Sequence, residues 1–159
     1  MDTTLVQSDY EIERRKPTPS RNHAYIQSQM IKLLDRKYSD RYEIISELSL
    51  LLEDAVLVPD ILIYKDFAFR PGNDEVKVKE LPVAVIEILS PTQHLADLVS
   101  KCYQYFDAGI PSYWLVLPDL TTIYVFSAPH EYEVFAKKGT LKDTVLGLEL
   151  DLEAVFGAI

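Results

Sequence analysis

The apolar positions from Leu81 to Leu89 are interrupted by one charge, Glu87, and the run closes on Ser90-Pro91. A short apolar run ended by a turn signal predicts a central strand covered on both faces. An ionised carboxylate in such a strand is costly unless a metal, a cation or several donors satisfy it. Upstream, Ile26, Met30, Leu33 and Leu34 recur at helical spacing, so Ser20 to about Tyr38 reads as a helix capped by Ser20, with His23 in its first turn. Arg41 to Leu52 is apolar on both sides of a two-residue alternation, which suits a strand inside a sheet. Glu53-Asp54 reads as a turn and Val56 to Tyr64 as the next strand. Pro59 cannot donate to a ladder, so that strand lies at an edge or is bulged there. Lys65 to Glu80 is polar, turns at Pro71-Gly72-Asn73-Asp74, and reads as an exposed loop.

Pro91 to Ala108 predicts a second helix, with Thr92 at the cap position and Gly109 as its stop. Leu95, Leu98, Val99, Cys102, Tyr105 and Phe106 form its expected buried stripe. At about 100° per residue, Asp97, Lys101 and Gln104 share a neighbouring face, with Lys101 at the margin of the stripe. Tyr113–Leu117 and Thr121–Phe126, joined by Pro118-Asp119-Leu120, read as a hairpin. Tyr132–Ala136 reads as a short strand, and Thr144–Phe156 as a strand-like piece followed by one turn of helix. Before the first helix, Lys16-Pro-Thr-Pro-Ser20 is a break, preceded by a short element around Tyr10 to Glu13. Helices and strands mixed without strict alternation predict an α/β fold of the α+β kind, a central mixed β-sheet flanked by helices. With 159 residues, no internal repeat and no dividing linker, residues 1–159 read as a single domain.

Composition narrows the function classes. Hydrophobic residues at 48% and charged residues at 26% fit an ordinary globular protein. The single cysteine, Cys102, excludes an intramolecular disulfide and a multi-cysteine metal site, reads as a small buried hydrophobe, and makes a reducing, cytoplasmic setting the expectation. The first fifteen residues have no apolar leader, and no run approaches the roughly 20 apolar residues of a membrane helix. A net charge of -9 opposes a generally basic surface for nucleic acid. It leaves open a local cationic groove, or a carboxylate-rich site neutralised by metal. Glycine-rich phosphate loops, a nucleophile elbow and histidine pairs at zinc spacing are all missing from the sequence.

Asp60 is the other carboxylate in an apolar strand. Adjacent strands lie about 4.8 Å apart, so neighbouring strands could bring Asp60 and Glu87 within reach of one metal ion. Hard divalent cations such as magnesium take oxygen ligands and keep waters for a substrate phosphate. Lys101, on the helix after the Glu87 strand, is the candidate cation for transition-state charge. Each residue also has a plainer reading. Glu87 reads as a buried glutamate held by a lysine or backbone donors, Asp60 as a bulge residue after a proline, and Lys101 as a solvated partner of Asp97. His23 reads as a capping or core histidine, Glu47 as a half-exposed strand residue, Gln104 as an exposed glutamine, and Tyr113 and Trp114 as core or interface aromatics.

Pro59-Asp60, IEILSP at 86–91, Lys101 within a helix, and GIPSYWLV at 109–116 together resemble the Uma-two family of the PD-(D/E)xK nuclease superfamily. The resemblance runs from about Tyr10 to Phe126 and is densest from Pro82 to Leu117. It implies a restriction-endonuclease-like core with Asp60 and Glu87 as metal ligands, and an acidic residue near the N-terminus, matched by Glu11 with Glu13 as rival. It also implies the histidine early in the first helix, His23. The superfamily lysine lies two residues after the second acid, where this chain has Leu89, and the resemblance implies its migration to Lys101. The backbone carbonyl of Ile88 is a further ligand in that geometry. The expectation is a Mg²⁺- or Mn²⁺-dependent endonuclease acting on DNA as a homodimer, with Asp60, Glu87, Lys101 and Glu11 as its catalytic residues. A non-catalytic nucleic-acid- or protein-binding module that keeps the fold is the rival, and a hydrolase of smaller phosphate compounds a third reading.

Overall fold

The structure is a computed structural model that describes Ile12 and residues 16–157. Its first long helix, α1 (Arg21–Tyr38), begins where the sequence signals it. The Ser20 hydroxyl accepts the His23 backbone N–H at 3.2 Å, satisfying one of the donors that a helix leaves unpaired in its first turn. Ile26, Met30 and Leu34 are its buried stripe, and Leu33 packs at the margin.

Two expected strands are each broken in two. Arg41–Leu52 forms β1 (Glu43–Ser46) and β2 (Ser49–Leu51). Between them Glu47 has φ of 49°, a left-handed conformation that costs a non-glycine residue energy. Its N–H donates to the Asp60 carbonyl at 3.2 Å. Val56–Tyr64 forms β3 (Val56–Leu57) and β4 (Ile61–Tyr64), because Pro59 has no N–H to continue a ladder. The chain uses these breaks to change sheets. β2 pairs with β3 and with β5 (Lys77–Val78), a short strand inside the segment expected to be a loop, whereas β1 and β4 join the main sheet.

The remaining main-sheet elements are β6 (Ala84–Ile88), β7 (Tyr113–Leu117), β8 (Thr122–Ala128) and β9 (Glu131–Ala136), with α2 (Leu95–Asp107) between β6 and β7. The order is β1-β4-β6-β7-β8-β9. Among the described strands of this sheet only β6 and β7 pair in parallel, as a crossover through a helix allows, so the sheet is mixed as expected. The β7–β8 hairpin turns through Pro118–Leu120. The C-terminal segment holds β10 (Thr140–Asp143), β11 (Leu148–Asp151) and α3 (Leu152–Phe156), one strand more than expected. Buried Asp143 ties this hairpin to β7. Its Oδ2 accepts the Ser112 hydroxyl at 2.5 Å and the Trp114 indole N–H at 2.7 Å, while its Oδ1 accepts the Val145 and Leu146 N–H groups at 2.9 and 3.0 Å.

α2 starts later than its pattern predicts. His94 occupies the cap position without a side-chain cap bond, Thr92 lies in the preceding turn, and Leu95 is 46% exposed instead of buried. Leu98, Cys102 and Tyr105 are buried as expected. Gly109 ends the segment at φ of 100°, a conformation that glycine adopts without a Cβ penalty.

All five residues of β6 are buried, which its apolar run requires. Alternation sends Ala84, Ile86 and Ile88 to the face covered by α1, with Met30 and Leu34. Val85 faces the other layer, with Leu98, Cys102 and Tyr105 of α2. Glu87 has the parity of Val85, so its carboxylate enters the α2 layer.

A buried carboxylate pair as candidate active site

The antiparallel register of β4 and β6 pairs Ile61 with Ile86 and Leu62 with Val85. One further step along both strands sets Asp60 across from Glu87. Both carboxylates are buried and face one ammonium group, that of Lys16. Lys16 Nζ lies 2.5 Å from Asp60 Oδ1 and 3.8 Å from Glu87 Oε2, and donates to the Val58 carbonyl at 2.7 Å. The expected convergence is therefore present, with a cation at its centre that sequence reasoning missed. Lys16 sits in the Lys-Pro-Thr-Pro stretch that reads as a break. The one signal pointing to it is charge: two carboxylates in apolar runs call for a nearby cation.

Asp60 is held on all sides. Its Oδ2 accepts the Ile88 N–H at 2.7 Å and faces His23 Nε2 at 3.1 Å. Its own carbonyl accepts the Gln27 side-chain amide at 3.0 Å and the Glu47 N–H at 3.2 Å. The break at Pro59 makes this possible, because Asp60 lies outside the ladder and its carboxylate is free to turn towards β6. Burial pushes its pKa up, but the His23 hydrogen bond and the Lys16 charge outweigh burial and hold it at about 2. His23 is a buried histidine, as one of its plainer readings has it, and its side chain does not form the cap. Its backbone takes part in the cap, and its imidazole Nε2 meets Asp60 while Nδ1 is buried with no hydrogen-bond partner among the described residues.

Glu87 is less well supplied. Tyr105 donates its hydroxyl to Oε1 at 2.8 Å, and Oε2 is buried with no hydrogen-bond partner among the described residues. Burial raises the Glu87 pKa and Asp60 adds to the rise, opposed by the charges of Lys16 and Lys101 and by the Tyr105 hydrogen bond. Burial alone would lower the Lys16 pKa, but Glu87 and Asp60 reverse that and raise it. The site drives the Asp60 pKa down and the Glu87 pKa up, the division that paired carboxylates adopt when their surroundings differ.

Lys101 is half-buried on α2, close enough for its charge to act on Glu87. Gln104 is exposed, as its plainer reading has it. Glu11 and Glu13 lie outside the described residues. Glu47, half-buried at its strand break, contributes to the field at Lys16. Cys102 is a buried hydrophobe whose thiol burial pushes up to about 12, and Tyr113 and Trp114 are core residues.

Among the described residues, no group of three or more His, Cys, Asp or Glu side chains is placed to hold a metal ion. The pair nevertheless fits a hard divalent cation as a partial ligand set. Asp60 and Glu87 supply oxygen donors, Glu87 Oε2 has no hydrogen-bond partner, and the Lys16 ammonium shows that the space between them accommodates positive charge. Beyond the end of β6, a cavity of about 520 Å³ is lined by Leu89, Ser90 and Gln93 together with Ser20, Arg21 and Asn22 at the start of α1.

Over residues 7–153 the sequence matches the Uma2 family, described as "Putative restriction endonuclease". The chain belongs to this family. The resemblance carried by Pro59-Asp60 and IEILSP thus holds over most of the Uma2 chain. Its fold matches a crystal structure described as "a putative nuclease belonging to DUF820" from Anabaena variabilis ATCC 29413, with a TM-score of 0.76 and 25% identity over 88% of this chain and 83% of that one. Among curated proteins, none matches the Uma2 chain.

Proposed function

We propose that this Uma2 protein is a divalent-metal-dependent endonuclease that hydrolyses DNA phosphodiester bonds, with residues 1–159 acting as one nuclease domain. The observation that carries the proposal is the pair itself. Two carboxylates on adjacent strands, Asp60 and Glu87, meet in a buried site, and one of their oxygens has no hydrogen-bond donor among the described residues. A fold built for stability alone gains little from such a pair, since burying charge costs more than packed apolar side chains. The nuclease names attached to the family and to the crystal structure give the reaction class.

Asp60, Glu87 and the Ile88 carbonyl would hold Mg²⁺ or Mn²⁺. When bound, the ion polarises a phosphoryl oxygen and lowers the pKa of a coordinated water. His23 and the Ile88 N–H keep Asp60 anionic and aimed. Tyr105 fixes the Glu87 carboxylate from the α2 side. Lys101 stabilises charge on the phosphate as water attacks, and Glu11 completes the acidic set. Arg21 and Asn22, which line the cavity beyond β6, would meet the nucleic-acid backbone. That local contact matters in a chain of charge -9, whose overall field repels DNA. A twofold homodimer would present one site to each strand.

The test is cleavage of supercoiled and linear DNA with Mg²⁺ or Mn²⁺, comparing wild type with Asp60→Ala and Glu87→Ala. Loss of at least about a hundredfold in rate is expected for each variant, the scale on which a metal ligand or its support matters. Cleavage that persists in both sinks the assignment. A non-catalytic binding module is the second reading, favoured by the Lys16 ammonium already seated between the acids. It requires DNA binding without metal-dependent cleavage.

A further inference from the structure

We infer that Lys16 is an internal cation that closes the Asp60–Glu87 site and must withdraw when a divalent ion binds. This rests on the metal-site reading above and adds the competition that regulates it. Lys16 Nζ faces the two carboxylates that would hold the ion, lying 2.5 Å from Asp60 Oδ1 and 3.8 Å from Glu87 Oε2. An ion held by those carboxylates would bring a double charge close to the ammonium. Repulsion at such range is strong in a buried, poorly screened site. The two cations therefore exclude one another.

The means of withdrawal is local. A lysine carries a compact charge on a flexible four-carbon stem, and this ammonium also donates to the Val58 carbonyl. Lys16 lies outside every regular element, four residues before the Ser20 cap of α1. It is held by its charge contacts and not by a hydrogen-bonded ladder. Without metal, its ammonium neutralises one of the two carboxylates and keeps the pair folded. With metal, that task passes to the ion, and Lys16 moves into solvent. Metal binding then opens the segment that leads into α1, beside the Arg21–Asn22 cavity.

The experiment uses the full chain and Mn²⁺. Lysine acylation by acetic anhydride is followed by mass spectrometry, residue by residue, without and with saturating Mn²⁺. Lys16 is 7% exposed, while Lys32 and Lys137 are exposed and serve as internal references. Mn²⁺ is expected to speed modification of Lys16 by about tenfold or more relative to the references, as loss of burial does for a protected group. In calorimetry, Lys16→Gln is expected to bind Mn²⁺ at least about tenfold more tightly than wild type, because the closed form no longer competes. Lys16 staying protected while calorimetry registers bound Mn²⁺ overturns the inference and leaves the metal site standing. Equal or weaker binding by a folded Lys16→Gln overturns it too. No Mn²⁺ binding by either protein overturns both the inference and the site reading, whereas binding by Lys16→Gln alone supports both. The labelling arm uses wild type, so the inference remains testable if Lys16→Gln fails to fold.

Discussion

Asp60→Asn separates the energetic role of this carboxylate from its chemical one. In the metal-free protein the Asp60 carboxyl is held at about 2 against an ordinary value of 3.8. At about 1.4 kcal/mol per pH unit, that depression is worth on the order of 2 kcal/mol of folding stability. The sign follows from the direction. A depressed carboxyl stabilises the fold above the unfolded-state value of 3.8, and the contribution fades as pH falls towards about 2. The amide cannot carry the charge, and it presents a donor where Lys16, His23 and the Ile88 N–H all need an acceptor. The variant is therefore expected to be less stable by about 2–4 kcal/mol at pH 7. The gap should narrow steadily between pH 4 and the acid limit. Urea unfolding in the presence of a chelator, followed by the fluorescence of the chain's one tryptophan, buried Trp114, measures it directly. A difference that stays flat from pH 7 to pH 3, or falls below about 1 kcal/mol at neutrality, refutes the assignment of Asp60 as a buried anion.

Glu87→Gln should behave in the opposite sense. Burial raises the Glu87 pKa, so its ionised form is disfavoured by the fold and its contribution fades as pH rises. Metal-free Glu87→Gln should then match or exceed wild type at pH 7 by about 0–2 kcal/mol in the same unfolding assay, while losing Mn²⁺ binding in calorimetry. Asp143→Ala is the control away from the site. It strands the Ser112 hydroxyl, the Trp114 indole N–H and two backbone donors, and should cost about 3–5 kcal/mol in urea unfolding, with cleavage per folded molecule unchanged.

Much of this arrangement is legible in the sequence because it depends on local pattern. The apolar run around Glu87 predicts a strand buried on both faces, and β6 is one. Helical spacing from Ile26 to Leu34, with Ser20 before it, predicts α1 and its cap. The strand breaks are harder to read. Pro59 signals an interruption, but its outcome, a change of sheet, depends on where β1 and β6 lie. Glu47 has no local reason for φ of 49°. Its turn is paired with the Asp60 carbonyl, a contact set by the tertiary fold. β5 is two residues long and exists only because β2 lies beside it. For the candidate site, Asp60 and Glu87 stand out as charges in apolar runs. Lys16 does not, since a lysine between polar and proline residues looks solvated until the sheet brings its partners to it.

The Lys16–Asp60 contact spans 44 positions of chain, and the Asp60–Ile88 bond a further 28. On the ribosome, the lysine is made first and waits for both acids. The strand carrying Glu87 cannot settle beside β4 without bringing two like charges together in a dry interior. The arrival of the early segment is therefore tied to the closing of the sheet, and the centre rests on non-local contacts, the kind whose loop-closure cost slows folding.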